Sequence, residues 1–152
     1  MNSINGNKLW VRTVEEKILE AFAIGASKKI SVRDRIENKS DSVFSKTEYI
    51  LWNTTLVKKF EDDIYINISG NMDEIDRYWQ PNNVWFNYKH REYIISNTTK
   101  SRLNAFLNYY DFDSLEVHSS KKEWCVKYNG VELEVDRWYK LDFTNKTLVM
   151  VK

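Results

Sequence analysis

The sequence predicts an α+β fold in a single domain, with a mostly antiparallel sheet, two helices packed on one face and a C-terminal β-meander. Three observations support this prediction. The length of 152 residues is that of one domain. Two segments repeat apolar residues at helical spacing, whereas many short segments alternate apolar and polar residues as strands do. Hydrophobic residues make up 42% and charged residues 30%, which is the balance of a chain that buries a core.

The two predicted helices cover residues 13–25 and 99–110. The first begins with the capping-box spacing of Thr13 and Glu16, which satisfies backbone amides that have no partner inside the helix. Gly25 is suited to end this helix because glycine adopts the left-handed conformation without strain. The second helix is predicted from apolar residues at positions i, i+3, i+4 and i+7, namely Leu103, Phe106, Leu107 and Tyr110.

The remaining periodic segments predict strands. Before the last third of the chain they cover residues 29–33, 43–50, 60–68 and 85–96. After the second helix, residues 115–151 consist of strands only and predict a meander. Asn129-Gly130, between two alternating segments, is the strongest hairpin signal because both turn positions require positive φ.

The segment 49–107 resembles a small domain of proteins from phages and mobile elements of low-GC bacteria. The residues that carry the resemblance are Trp52-Asn53-Thr54, Ile64-Tyr65-Ile66-Asn67, Tyr93, Ser96-Asn97-Thr98-Thr99 and Leu103. A long insertion over 70–84 and the absence of a histidine after the threonine pair depart from that pattern. The resemblance implies a phage or mobile-element origin and implies no reaction. Proteins of this size and source often inhibit host defence, as anti-CRISPR proteins do, so such a role is expected by analogy.

The leading functional hypothesis is a non-enzymatic inhibitor that binds a host protein, a defence enzyme that handles nucleic acid. Residues 61–80 carry a net charge of −5, and the carboxylates of the acidic block, residues 61–76, can occlude a groove built for phosphates. An aromatic loop, residues 78–86, follows this block, and Trp and Tyr dominate interface hot spots. The predicted partner-binding residues are Asp62, Asp63, Asp73, Glu74, Asp76, Tyr78, Trp79 and Trp85. A solvated acidic edge and buried tryptophans are the structural alternatives.

The second hypothesis is a small nucleic-acid-binding accessory protein. Basic and aromatic residues interleave over 85–102, as they do on surfaces that bind phosphates and stack bases. Its predicted contacts are Lys89, Arg91, Lys100 and Arg102. Lys100 and Arg102 lie at the start of the predicted second helix, where the helix dipole also favours an anion.

The sequence predicts no enzyme activity, no metal and no cofactor. A metal-dependent nuclease that uses Asp73 and Asp76 is the third hypothesis, since two-metal sites need converging carboxylates. Cys125 is expected to be an inert, packed thiol, because free cysteine is among the most buried residue types and no nucleophile motif surrounds it. A Cys125–His118 dyad remains open, since both residues lie on neighbouring strands of a predicted hairpin.

No export signal and no apolar run of about 18 residues is found, so we expect no membrane span and a location in the bacterial cytoplasm. A single cysteine also excludes an intramolecular disulfide.

Overall fold

The structure is a computed structural model that describes residues 13–69, 95, 97–119 and 124–151. It has the predicted α+β class, with two described helices and mostly antiparallel strands. The helices are α1 (Thr13–Ile24) and α2 (Asn97–Tyr109). The strands are β1 (Lys28–Lys29), β2 (Asp34–Asn38), β3 (Lys46–Leu51), β4 (Thr54–Phe60), β5 (Asp63–Asn67), β6 (Glu116–Ser119), β7 (Trp124–Tyr128), β8 (Val131–Leu133), β9 (Trp138–Asp142) and β10 (Thr147–Met150).

The strands form two sheets. The larger sheet has seven strands in the order β1-β2-β3-β4-β5-β9-β10, and every neighbouring pair is antiparallel. The smaller sheet contains β6, β7 and β8. The C-terminal strands predicted as one meander are therefore divided, because β9 pairs with β5 instead of β8. Alternation shows that a strand has a buried face but does not specify its partner.

Both predicted helices are confirmed, and each ends as a Schellman motif. At the end of α1, Ala26 N–H donates to the Ala21 carbonyl at 3.1 Å, and Gly25 has a φ of 80°. The end of α2 has the same arrangement without glycine. There Phe112 N–H donates to the Leu107 carbonyl at 2.8 Å, and Asp111 has a φ of 68°.

The predicted strand 29–33 is wrong beyond Lys29. Residues 30–33 form the turn of a hairpin, and the long strand of that hairpin is β2, which the sequence pattern did not indicate. Ser31 explains this difference, because its hydroxyl accepts the N–H of Arg33 and of Asp34 at 3.2 and 3.1 Å. Such local side-chain bonds compete with strand pairing. The predicted strand 85–96 lies outside the described residues, apart from Ile95.

The core lies between the large sheet, the two helices and the small sheet. The Phe106 ring of α2 contacts Phe22 of α1 edge-on, with ring centroids 4.9 Å apart, and lies 5.4 Å from the Tyr49 ring of β3. Val126 and Tyr128 of β7 belong to the same buried cluster. Both helices therefore pack on the face of the large sheet that carries Tyr49, and the small sheet contributes to the same buried cluster.

The Asn129-Gly130 turn is confirmed as the β7–β8 hairpin. Asn129 has a φ of 49° and Gly130 a φ of 82°, and Tyr128 pairs with Val131. Apart from Gly130 and its two chain neighbours, no residue places a heavy atom within 4 Å of a Cβ built on Gly130, so the backbone conformation resists substitution. We expect Gly130→Val to lower the free energy of unfolding by about 1 kcal/mol or more, because a β-branched residue disfavours positive φ.

Urea unfolding of wild type and Gly130→Val measures this loss. Gly130→Asn is the matched control, since asparagine tolerates the left-handed region and should cost less. Equal losses in both variants would contradict the conformational explanation.

Candidate functional site

The candidate site lies on the face of the large sheet opposite to the helices. Side chains alternate along each strand, so the neighbours of the core residues point to that face. We call it the open face because neither described helix packs on it, although Glu48 and Ile50 on this face are buried. Cross-strand pairing carries one row of these residues across it. The row runs through Glu37, Glu48, Lys58, Tyr65, Lys140 and Val149. A sequence with clear alternation in β5 and β9 thus builds a surface of polar and aromatic side chains.

A cation–aromatic cluster occupies the centre of the open face. It consists of Lys58, Tyr65, Trp138 and Lys140, and all four side chains are half-buried. Lys58 Nζ lies 4.5 Å from the centroid of the Trp138 ring and 5.3 Å from that of the Tyr65 ring. Such contacts at partly exposed positions contribute about 0.5–1 kcal/mol each. The cluster therefore combines two aromatic rings and two ammonium groups on the three adjacent strands β4, β5 and β9.

The ammonium group of Lys58 is not bound by the carboxylate opposite to it. Register places Glu48 across from Lys58, but the Glu48 carboxylate binds Lys39 at 2.9 Å and Lys46 at 3.2 Å. Burial opposes ionisation of Glu48, yet the hydrogen bonds from these two lysines lower its pKa below the ordinary value. Within the described part of the chain, the Lys58 ammonium has contacts with aromatic rings and no carboxylate partner.

Two residues of the predicted acidic block are described. Asp62 is exposed in the turn between β4 and β5, and Asp63 opens β5. The Asp63 carboxylate lies 3.6 Å from Lys140 Nζ, and both side chains are nearly half exposed, at 47% and 45%. An exposed pair of this kind contributes at most about 1 kcal/mol. The block therefore reaches the rim of the open face.

The other predicted partner-binding residues lie outside the described residues. They are Asp73, Glu74, Asp76, Tyr78, Trp79 and Trp85. Among the residues that are described, no group of three or more His, Cys, Asp and Glu could hold a metal ion. The nuclease hypothesis depended on Asp73 and Asp76, so it stays a prediction.

The prediction that Arg102 contacts nucleic acid is wrong. The sequence placed it among anion-binding residues at a helix start, with Lys100, Lys89 and Arg91. In the structure its side chain is only 9% exposed and is bound to carboxylates. An arginine that is buried and paired in this way does not present charge to an external phosphate. Lys100 is half-buried in the first turn of α2, whereas Lys89 and Arg91 lie outside the described residues.

Arg102 belongs to a buried polar network that joins the helices to the sheet. Its guanidinium donates from Nε to Asp34 Oδ1 at 2.9 Å and from Nη2 to Asp34 Oδ2 at 3.2 Å. Nη1 also donates to Glu15 of α1 at 3.1 Å. Tyr49 and Ser31 donate their hydroxyl hydrogens to the same Asp34 carboxylate. A fork of two parallel bonds is the strong geometry for this ion pair.

The network changes the pKa values of Asp34 and Tyr49 in opposite directions. Burial alone would raise the Asp34 pKa, but the hydrogen bonds from Arg102, Ser31 and Tyr49 hold it below the ordinary value. Burial and the adjacent Asp34 carboxylate raise the pKa of Tyr49, so its hydroxyl stays protonated and keeps donating. The cluster is fully paired and structural.

No family model, no curated protein and no solved structure matches the chain. Neither helix in the described residues has the length and apolar character needed to cross a bilayer.

Cys125 is buried, with 8% of its surface exposed, as the sequence analysis predicted for a packed thiol. Strict alternation would place it opposite Val126 and Tyr128, yet both of these residues are buried as well. Strand β7 is therefore covered on both faces. Register pairs Cys125 with His118 of β6, so the two backbones are neighbours as expected.

Lys58, Tyr65, Trp138 and Lys140 were not predicted from the sequence to form a site. The signal was present in β9, where Trp138 and Lys140 share the phase opposite to Tyr139 and Leu141. The missing information was that β9 pairs with β5, which brings these residues beside Tyr65.

Proposed function

We propose that the chain is a non-enzymatic protein of phage or mobile-element origin that binds single-stranded nucleic acid on the open face. The observation that carries this proposal is the cation–aromatic cluster of Lys58, Tyr65, Trp138 and Lys140. Single-strand binders combine a basic surface for the backbone with aromatic rings on which bases stack. The cluster supplies both elements on three adjacent strands.

Stacking of a base on the Trp138 ring is expected to be stronger than the contact that Lys58 makes with this ring. In the free protein the Lys58 ammonium lies over the Trp138 ring. This cation–π contact contributes about 0.5–1 kcal/mol at a partly exposed position. A stacked base contributes about 1–3 kcal/mol. A base of a bound strand can therefore stack on the Trp138 ring while a phosphate of the same strand binds the Lys58 ammonium. Both the ring and the ammonium then have a partner.

A second candidate is the inhibitor of a host defence enzyme that handles nucleic acid. The observation that favours it is Asp62, which is exposed at the rim of the open face beside Asp63. On this proposal the carboxylates occlude a phosphate-binding groove in the host protein. The full acidic block and the aromatic loop would take part in the same contact.

A titration of the wild-type protein with a fluorescent oligo(dT) tests the first proposal. We expect binding whose logarithmic affinity falls with the logarithm of salt concentration at a slope of about −0.7 per phosphate contacted. Contacts by Lys58 and Lys140 together then lower the affinity about 7-fold between 50 and 200 mM salt. A duplex of the same length should bind more weakly, since its bases are not available to stack.

The same titration separates the two candidates. Asp62→Lys should strengthen oligonucleotide binding, because it removes a negative charge near the phosphates and adds a positive one. On the inhibitor proposal this substitution weakens the protein contact. Wild-type protein that binds no oligonucleotide at low salt would overturn the first proposal, and Mg²⁺-dependent cleavage of the oligonucleotide would instead favour the nuclease.

A further inference from the structure

The hairpin of β1 and β2, at the edge of the large sheet, lines a cleft that is rich in basic side chains. The cleft has a volume of about 460 Å³. The residues that define its chemistry are Ser27, Lys28, Lys29, Arg33, Asp34 and Arg35. Four of these six residues are cationic. The acidic one, Asp34, is already bound by Arg102 through two hydrogen bonds.

Two of the four cations in this cleft have no ion-pair partner among the described residues. Lys28 and Lys29 are exposed, and neither has an ion-pair partner within the described ranges. Arg33 lies 3.9 Å from Asp34 Oδ2, a long contact for a side chain that is 44% exposed. Arg35 is paired with Glu37 at 2.6 Å. The cleft therefore has a net positive charge that an anion would neutralise.

Arg35 connects the cleft to the open face. It alternates with the buried Asp34 and Ile36, so its side chain lies on the face opposite to the helices. Lys29 is its cross-strand neighbour, and Ile50 is its neighbour on the other side. With strands about 4.8 Å apart, β1 lies about 19 Å from β5, the strand that carries Tyr65.

We infer that the β1–β2 cleft is a phosphate subsite for the same nucleic-acid strand that stacks on the cation–aromatic cluster. This inference rests on the proposed function. Lysines on an edge strand also protect a sheet from pairing with other chains. A phosphate subsite additionally accounts for the clustering of these cations around one cleft.

The experiment compares oligo(dT) of about 4 and about 16 nucleotides, the range of site sizes of single-strand binders. The short strand covers the aromatic cluster only, whereas the long strand also reaches the cleft. Lys28→Ala/Lys29→Ala should leave the affinity for the short strand unchanged within about twofold. For the long strand it should reduce the salt slope by about 1.4, the value for two lost phosphate contacts.

Lys17→Glu is the matched control. It lowers the net charge by two, as the double variant does, but at an exposed position of α1 that does not line the cleft. Equal effects of the two variants on the long strand would overturn the subsite, because they would reflect net charge alone. An unchanged salt slope in the double variant would also overturn it. Failure of the wild-type protein to bind either strand is a distinct result, which overturns the proposed function itself.

Discussion

Arg102→Met is expected to lower the free energy of unfolding by about 3–5 kcal/mol at pH 7, because it leaves the buried Asp34 carboxylate without its cation. The Asp34 side chain has no exposed surface in the wild-type protein, so its carboxylate depends on these hydrogen bonds. The Glu15 contact that ties α1 to α2 is lost in the same variant. Urea unfolding monitored by circular dichroism measures the difference in the free energy of unfolding between the variant and wild type.

The pH dependence gives this prediction a second readout. In the wild-type protein the Asp34 pKa lies below its unfolded value. Its contribution to stability is therefore present above about pH 4 and is lost as the pH falls through the folded pKa. In Arg102→Met the donors Ser31 and Tyr49 remain, but the guanidinium no longer opposes the effect of burial, so the Asp34 pKa should be higher than in wild type. The difference in stability from wild type should therefore narrow as the pH falls through the Asp34 pKa of the variant.

Arg33→Met is the matched control, since Arg33 is the other arginine near Asp34 and is largely exposed. It should change the free energy of unfolding by no more than about 0.5 kcal/mol. Adding Asp34→Asn to Arg102→Met should recover part of the lost stability, because the uncompensated charge is removed. A loss of stability that is independent of pH, with no recovery in the double variant, would contradict the ion-pair explanation.

Tyr65→Val/Trp138→Val is expected to weaken the binding of oligo(dT) about 30-fold or more. Each stacked base contributes about 1–3 kcal/mol, and about 1.4 kcal/mol corresponds to a factor of ten. Valine keeps the strand propensity of both positions while it removes the rings. The two side chains are half-buried, so only a modest loss of stability should accompany the substitution. Fluorescence anisotropy at low salt gives the affinity, and the thermal midpoint shows whether the variant is folded.

Tyr109→Leu is the control for this loss. Tyr109 is 52% exposed at the end of α2, on the side of the sheet that carries the helices. Its replacement removes an exposed ring without changing the open face, so oligonucleotide binding should persist. A folded Tyr65→Val/Trp138→Val protein that binds as tightly as wild type would show that the cluster is structural, with Lys58 only covering the rings.

Parts of the fold that depend on short-range periodicity could be predicted, and others could not. Strand β5 was recognised because Ile64 and Ile66 alternate with polar residues. Strand β4 was not, and a β-bulge explains why. Tyr49 pairs with Val57 but Ile50 pairs with Thr55, so Leu56 is an extra residue. Leu56 and Val57 are both buried in consequence, and the alternation that marks a strand is interrupted.

The candidate site shows the same division. Basic-aromatic interleaving is the chemistry of the second hypothesis, but the described residues that realise it are on β4, β5 and β9 rather than on 85–102. Arg102 was assigned to an external anion because its charge is evident in the sequence. Its partner Asp34 is 68 residues away, and no local pattern connects the two.

The sequence by itself was sufficient for the fold class, the extents of both described helices to within two residues and the Asn129-Gly130 turn, since each depends on contacts or dihedral preferences within a few residues. Strand pairing determined the rest. Only the β5–β9 ladder places Trp138 beside Tyr65, and only the contact between α2 and Asp34 of β2 turns Arg102 from a surface cation into a buried ion pair. These outcomes depend on which distant segments exclude water from one another, and burial of that kind is a property of the assembled chain.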